Sequence, residues 1–156
     1  AQETAWLEDG ERSETIDGYP IAVSANIEML KDALLLPKMG SSGIGLFRTE
    51  YLCLSRGTFP SEEEQFIIYR EITEKMGDRP VVVRTFDVGG DKVRDLPRLQ
   101  AEANPFLGCR AIRYMLREKA AFRNQLRAIL RASAYGNLRL LLPMITSVTE
   151  LREAKG

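Results

Sequence analysis

Hydrophobic and polar positions along this chain fall into blocks whose period changes from one block to the next. "IAVSANI" (Ile21 to Ile27) is an apolar run of strand length, and "EMLKDALLLPKM" after it predicts a helix that Pro37 shortens. "GIGLFRTE" (Gly43 to Glu50) predicts a second strand. From Ser61 the period becomes helical, with Phe66, Tyr69, Ile72 and Met76 on one face. Ser61 and Glu64 have the Ser-x-x-Glu spacing of a capping box, in which each side chain satisfies an otherwise unpaired backbone N–H, and Gly77 is the stop. "PVVVRTFDV" is a β-branched third strand. In "NPFLGCRAIRYMLRE", Asn104 is the expected cap and Pro105 the first helical residue, which places Arg110 in the first turns of that helix. "KAAFRNQLRAILRASAYG" sets Phe122, Leu126, Ile129 and Leu130 on one face and closes at Gly136. "LRLLLPMI" (Leu138 to Ile145) is the fourth strand, and Ser147 with Glu150 begins another capping box.

Four strand–helix units in a row, with no hairpin signal between strands, predict an α/β fold with parallel strands and helical crossovers. Two closures are open: a small doubly wound sheet, or about half of a (β/α)8 TIM barrel. A whole barrel takes about 250 residues, and a fifth helix is only begun at Gly156, so the chain reads as a shortened piece. Residues 1–19 are polar, carry two Asp-Gly turn signals and are expected to form a linker, leaving 20–156 as the folded unit.

Composition narrows the function. The chain has 156 residues, 44% hydrophobic and 28% charged, enough for one domain with a core. Its 22 basic and 22 acidic residues balance, so it lacks the broad positive field of a nucleic-acid or anionic-membrane binder. No apolar run nears the roughly 20 residues that span a bilayer, and no leader opens the chain, so a cytoplasmic location is the expectation. Cys53 and Cys109 stand apart, which argues against a disulfide framework or a thiolate metal site. There is no histidine, so an imidazole base, phosphate carrier or metal ligand has to come from elsewhere.

Chemistry is expected at the carboxyl ends of the strands, where parallel α/β folds bind ligands. Strand two ends in Arg48-Thr49-Glu50, and strand three runs through Arg84-Thr85 to Asp87-Val88-Gly89-Gly90-Asp91-Lys92. Two arginines in equivalent places on neighbouring strands can converge on one anion, because a guanidinium grips phosphate or carboxylate through two parallel hydrogen bonds. The glycine pair either brings backbone N–H groups to that anion or only turns the chain, and each arginine can equally be half of a structural ion pair. Arg123, Arg127 and Arg131 form a helix stripe read as a solvated face or as partners for nearby acids. Glu62, Glu63 and Glu64 suit a helix N-terminus. Cys109 reads as a buried small hydrophobe.

Three stretches, "GIGLFRTEYL", "VVVRTFDVGGDK" and "NPFLGCRAIR", followed by "QLRAILRASAYGNLRLLLPMI", resemble the phosphoenolpyruvate-binding domain of Enzyme I. That family comprises the phosphoenolpyruvate-protein phosphotransferases of the bacterial sugar phosphotransferase system. The resemblance runs from about Ile21 to the end, and the R-T-x-D-x-G-G-D-K run separates it from pyruvate phosphate dikinase and phosphoenolpyruvate synthase, the alternative relatives. It implies a (β/α)8 barrel, with Arg48 and Arg84 holding the phosphate of phosphoenolpyruvate and Arg110, Asp87 and Lys92 as further candidates. It also implies Mg²⁺, a phosphohistidine domain that receives the phosphoryl group, a small phosphocarrier protein and a homodimeric parent. The metal ligands and catalytic cysteine of the family belong to the second half of its barrel, and neither Cys53 nor Cys109 matches that cysteine.

This chain alone is therefore expected not to catalyse the transfer. Half a barrel leaves open edges, so self-association is expected as well. A second class of function, a non-catalytic interaction module on the same scaffold, has no need of both strand-end arginines.

Overall fold

The computed structural model describes residues 13–89 and 108–156. Four strands, β1 (Ala25–Ile27), β2 (Ile44–Arg48), β3 (Val81–Arg84) and β4 (Leu138–Leu141), form one parallel sheet in the order β1-β2-β3-β4. That order decides between the two closures. A doubly wound sheet reverses its strand order so that helices cover both faces. Here each strand joins the next, and right-handed crossovers then set the helices on a single face. The result is the alternating arrangement of half a (β/α)8 barrel.

The helices are α1 (Leu30–Ala33), α2 (Tyr51–Leu54), α3 (Glu62–Met76), α4 (Ile112–Arg117), α5 (Lys119–Ala132) and α6 (Val148–Lys155). The main core lies between the sheet and α3 and α5. Ile27, Ile44, Phe47, Val81 and Val83 of the strands meet Phe66, Tyr69, Ile72, Met76, Ala128 and Ile129 of the helices. The opposite sheet face is open: Asn26 and Arg139 are exposed, and Leu46 and Val82 are half-buried. A second cluster, with Phe86, Val88, Ile112, Tyr114, Met115 and Phe122, packs beyond the carboxyl end of β3. Among the described residues no helix is long and apolar enough to cross a membrane.

Both capping boxes form as their spacing predicts: Ser61 Oγ accepts from the Glu64 N–H at 3.3 Å, and Ser147 Oγ from the Glu150 N–H at 3.1 Å. The predicted face of α3 is buried and Gly77 ends the helix. On α5, Phe122 and Ile129 are buried, whereas Leu130 is 69% exposed. The stripe facing the sheet is Phe122, Gln125, Ala128, Ile129 and Ala132, so a polar residue takes a core position assigned to an apolar one.

The strands are shorter than their apolar runs, for reasons of pairing. Ala25 meets Ile44, near the start of β2, so residues 21–24 lie beyond the ladder, and Ile21 and Val23 are exposed. β4 ends at Leu141, opposite the last residue of β3; Pro143 has no N–H to continue a ladder and Met144 has φ +60°. The first predicted helix breaks into α1 and a 3-10 turn over Leu36–Met39 that ends at Gly40 in the left-handed region. Gly18 makes a turn at the second Asp-Gly signal, with φ +84°. Residues 1–12, Asn104, Pro105 and Lys92 lie outside the described residues.

Candidate functional site

β2 and β3 run side by side with Arg48 and Arg84 as register partners, so both side chains leave the open face of the sheet at its carboxyl end. They line one cleft of about 530 Å³ with Glu28, Glu50, Tyr51, Leu54, Asp87 and Arg110. Four of the five candidates read from the sequence thus meet in one place, and the fifth, Lys92, lies outside the described residues.

Arg110 arrives by another route than expected. It precedes α4 rather than standing in its first turns, and it pairs with Gly89 in an isolated antiparallel bridge. Val88 C=O accepts from the Ala111 N–H at 2.9 Å. Gly89 permits this pairing, since it has φ +124° and a Cβ there would lie 2.5 Å from the Cys109 carbonyl oxygen. Gly89 therefore serves a close approach of two protein segments rather than a simple turn. The bridge sets Arg110 against Asp87 with a two-point grip: Nε donates to Oδ1 at 2.7 Å and Nη2 to Oδ2 at 3.0 Å.

Each cleft arginine meets a carboxylate. Arg84 Nη2 donates to Glu50 Oε1, and its Nη1 lies 3.5 Å from Asp87 Oδ2. Arg48 Nη1 donates to Glu28 Oε1 at 2.7 Å. The two pairs differ in setting. The Arg84 and Glu50 side chains are 16% and 8% exposed, those of Arg48 and Glu28 43% and 51%. Arg84 is fixed within protein, and Arg48 stands half in water. Sequence reading missed Glu28, although it directly follows the β1 run. It quoted Glu50 only as the end of a motif; an acid two residues beyond a strand-end arginine was the available signal.

A buried polar chain fixes the strand ends below the cleft. Thr49 Oγ1 donates to the Arg84 carbonyl at 2.7 Å. Gln125 Nε2, on α5, donates to Thr49 Oγ1 at 3.1 Å and to the Tyr69 hydroxyl at 3.2 Å, while Gln125 Oε1 accepts from the Phe86 N–H at 3.0 Å. Tyr69 in turn donates to Gln65 Oε1 at 2.9 Å, and Gln65 Nε2 to the Pro60 carbonyl at 3.0 Å. Thr49, Gln65, Tyr69 and Gln125 are all fully buried, and each link has both a donor and an acceptor, as burial requires. Burial also pushes the Tyr69 hydroxyl above its ordinary titration range, so it stays protonated as a donor.

The other candidates have structural roles. Burial pushes the Cys53 thiol up to about 12, and its Sγ donates to the Glu50 carbonyl at 3.1 Å, so it remains an unreactive thiol. Cys109 is buried too. Arg127 and Arg131 reach across from α5 to α3: Arg127 Nε donates to Glu62 at 2.6 Å, and Arg131 bonds Glu62 and Glu63 at 2.8 Å each. That is the reading of the stripe as partners for nearby acids.

A parallel α/β sheet whose strand-end arginines share one cleft with carboxylates is the arrangement of a barrel-type domain with its candidate site at the carboxyl ends of the strands. Residues 3–156 match the family described as PEP-utilising enzyme, PEP-binding domain. The chain is 47% identical over 156 residues to the phosphoenolpyruvate-protein phosphotransferase of Geobacillus stearothermophilus, covering 99% of this chain and 27% of that protein. It is 50% identical over 141 residues to the Staphylococcus aureus protein of the same name, covering 90% of this chain and 25% of that one. The Haemophilus influenzae protein of that name is 49% identical over 141 residues, 90% of this chain and 24% of its own. The chain spans about a quarter of the length of these relatives. It belongs to the family of phosphoenolpyruvate-binding domains of the PEP-utilising enzymes. The resemblance read from the strand-end motifs is borne out by these relatives.

Proposed function

We propose that this chain supplies the phosphate-gripping part of a phosphoenolpyruvate site in a phosphoryl-transfer protein of the phosphotransferase type. The carrying observation is the register pairing of Arg48 with Arg84 over one cleft. Their guanidinium groups are planar, permanently charged and set side by side, which suits the equatorial oxygens of a phosphoryl group. Charge on those oxygens grows less localised as transfer proceeds, and preset cations stabilise it without reorganising. Asp87 and Arg110 complete the wall of the cleft, and Lys92 is carried as a further candidate.

In the reaction the relatives' name describes, the P–O bond to the enol oxygen breaks and a bond to a protein acceptor forms. The family resemblance implies a histidine of another domain as the acceptor, and this chain itself has no histidine. A small phosphocarrier protein is the next recipient in this reading, and the cytoplasm its setting. Within this chain residues 1–19 are assigned as a linker and 20–156 as half of the barrel domain. The open sheet face supports association of the chain with the rest of a barrel or with a second copy. The family resemblance also brings Mg²⁺. Among the described residues no group of three His, Cys, Asp or Glu side chains could hold a metal, and the cleft carboxylates face arginines. The described residues therefore do not fit a Mg²⁺ site, and no step is assigned to the metal.

The reading is tested by following arginine Nε–H signals during addition of phosphoenolpyruvate. Arg48 and Arg84 are expected to shift, while Arg79, exposed at the opposite end of β3, stays still. Unmoved Arg48 and Arg84 signals at millimolar ligand would count against it.

A further inference from the structure

The cleft is charge-balanced among its described lining residues. Arg48, Arg84 and Arg110 carry three positive charges, and Glu28, Glu50 and Asp87 carry three negative ones. A phosphate dianion entering such a cleft meets as much repulsion as attraction unless one carboxylate withdraws. The settings of the ion pairs identify which one can. Glu50 and Asp87 have side chains 8% exposed, so pulling either from its arginines would strand a carboxylate in a poorly solvated place. The Glu28 side chain is 51% exposed and comes from the short loop after β1, so water can take over its carboxylate as soon as it lets go.

Resting on the phosphate-site reading above, we propose that Glu28 is an internal competitor for the anion at Arg48. Its carboxylate occupies the guanidinium edge at 2.7 Å, and an incoming phosphoryl group displaces it. Arg84 is then the preset half of the grip, held by Glu50, and Arg48 is the half that exchanges partners. Displacement leaves the described cleft with one net positive charge while an anion is bound. The arrangement favours ligands of high negative charge over monoanions, because only a strong competitor removes Glu28. The device therefore lowers the affinity of the site for any anion that has to displace Glu28.

The test is calorimetric titration of the 156-residue chain with inorganic phosphate and with phosphoenolpyruvate at low ionic strength. Glu28→Gln is expected to bind both about 3- to 10-fold more tightly than the parent chain, the range open to a partly solvated ion pair. Glu28→Ala does the same, which removes the case of a glutamine amide substituting as a partner. Glu74→Gln on α3, where Glu74 pairs with Arg70 away from the cleft, makes the same change in net charge and is expected to bind as the parent does. In an Arg48→Ala background the Glu28 substitution is expected to have no effect. Equal or weaker binding by both Glu28 variants overturns the proposal, and so does a gain that persists without Arg48 or an absence of phosphate binding by any variant. Phosphoenolpyruvate binding that needs Arg84 but ignores Glu28 removes this inference and leaves the proposed function standing. Tighter phosphate binding by the Glu28 variants, with phosphoenolpyruvate no better a ligand than phosphate, keeps the inference and removes the proposed substrate.

Discussion

The side-chain oxygen of Gln125 lies 3.0 Å from the backbone nitrogen of Phe86, where a further strand would otherwise have to supply the acceptor. β3 stops pairing at Arg84, yet the chain must stay extended through Asp87 for that carboxylate to reach Arg84 and Arg110. One side chain from α5 accepts the unpaired N–H, and its amide nitrogen holds Thr49 at the end of β2. Gln125 thus fixes both arginine-bearing strand ends from beneath.

Gln125→Met keeps the length and apolar bulk of the side chain and removes both hydrogen-bonding functions. It leaves the Phe86 N–H without this acceptor and Thr49 without a donor, in a fully buried place. A loss of about 2 to 4 kcal/mol of stability is expected from stranding these groups. Urea unfolding of the two chains measures it. A loss under about 0.5 kcal/mol would show that the network contributes little.

Gly89→Ala is expected to be severe for a small change. The left-handed φ disfavours any side chain, and the new Cβ would meet the Cys109 carbonyl at 2.5 Å and Arg110 Cα at 2.8 Å. The bridge between Gly89 and Arg110 must then open, carrying Arg110 away from Asp87. A destabilisation of about 2 to 4 kcal/mol follows from strain plus the weakened ion pair. Thermal unfolding checks it. Gly57→Ala, also at positive φ but with open space around the new Cβ, separates the backbone cost from the clash.

The order of elements was legible in the sequence, because hydrophobic period and capping spacing act locally. Ser61, Glu64 and Gly77 mark the ends of α3 within a few bonds of the groups they satisfy. The convergence of Arg48 and Arg84 was legible for a related reason, since parallel strands bring equivalent ends together. Strand lengths were not legible, because a strand extends only as far as its neighbour does: residues 21–24 have the right character but lie outside the ladder that β1 forms with β2. Gln125 was hidden for the opposite reason. Its neighbours in sequence say nothing of Thr49, 76 residues away, or of an N–H left over at the end of β3. The position of Arg110 was misread because Asn104 and Pro105 have the character of a helix start, while the described helix begins at Ile112 after Ala111 at φ +53°.

Glu64 gives a pH prediction. Hydrogen bonds from the Ser61 backbone N–H and hydroxyl, then Arg56, lower its carboxyl from 4.5 to about 2. The folded value lies below the unfolded one, so the contribution is complete above about pH 4.5 and fades as pH falls towards 2. Glu64→Gln is therefore expected to be less stable than the parent at pH 6, with the gap closing at pH 2.5. Urea midpoints at the two values read it. A gap that does not narrow on acidification would contradict the assignment.

The measurement that bears most directly on the central claim is calorimetric titration of the chain with phosphoenolpyruvate, with and without Mg²⁺, beside Arg84→Ala and Arg84→Lys. The account predicts binding that Arg84→Ala abolishes, that Arg84→Lys weakens by about tenfold through loss of the two-point grip, and that Mg²⁺ leaves unchanged. Binding indifferent to Arg84, or none at all with the variants and the parent chain equally folded, would contradict a phosphate grip at the ends of β2 and β3 and favour a scaffold that works by docking another protein.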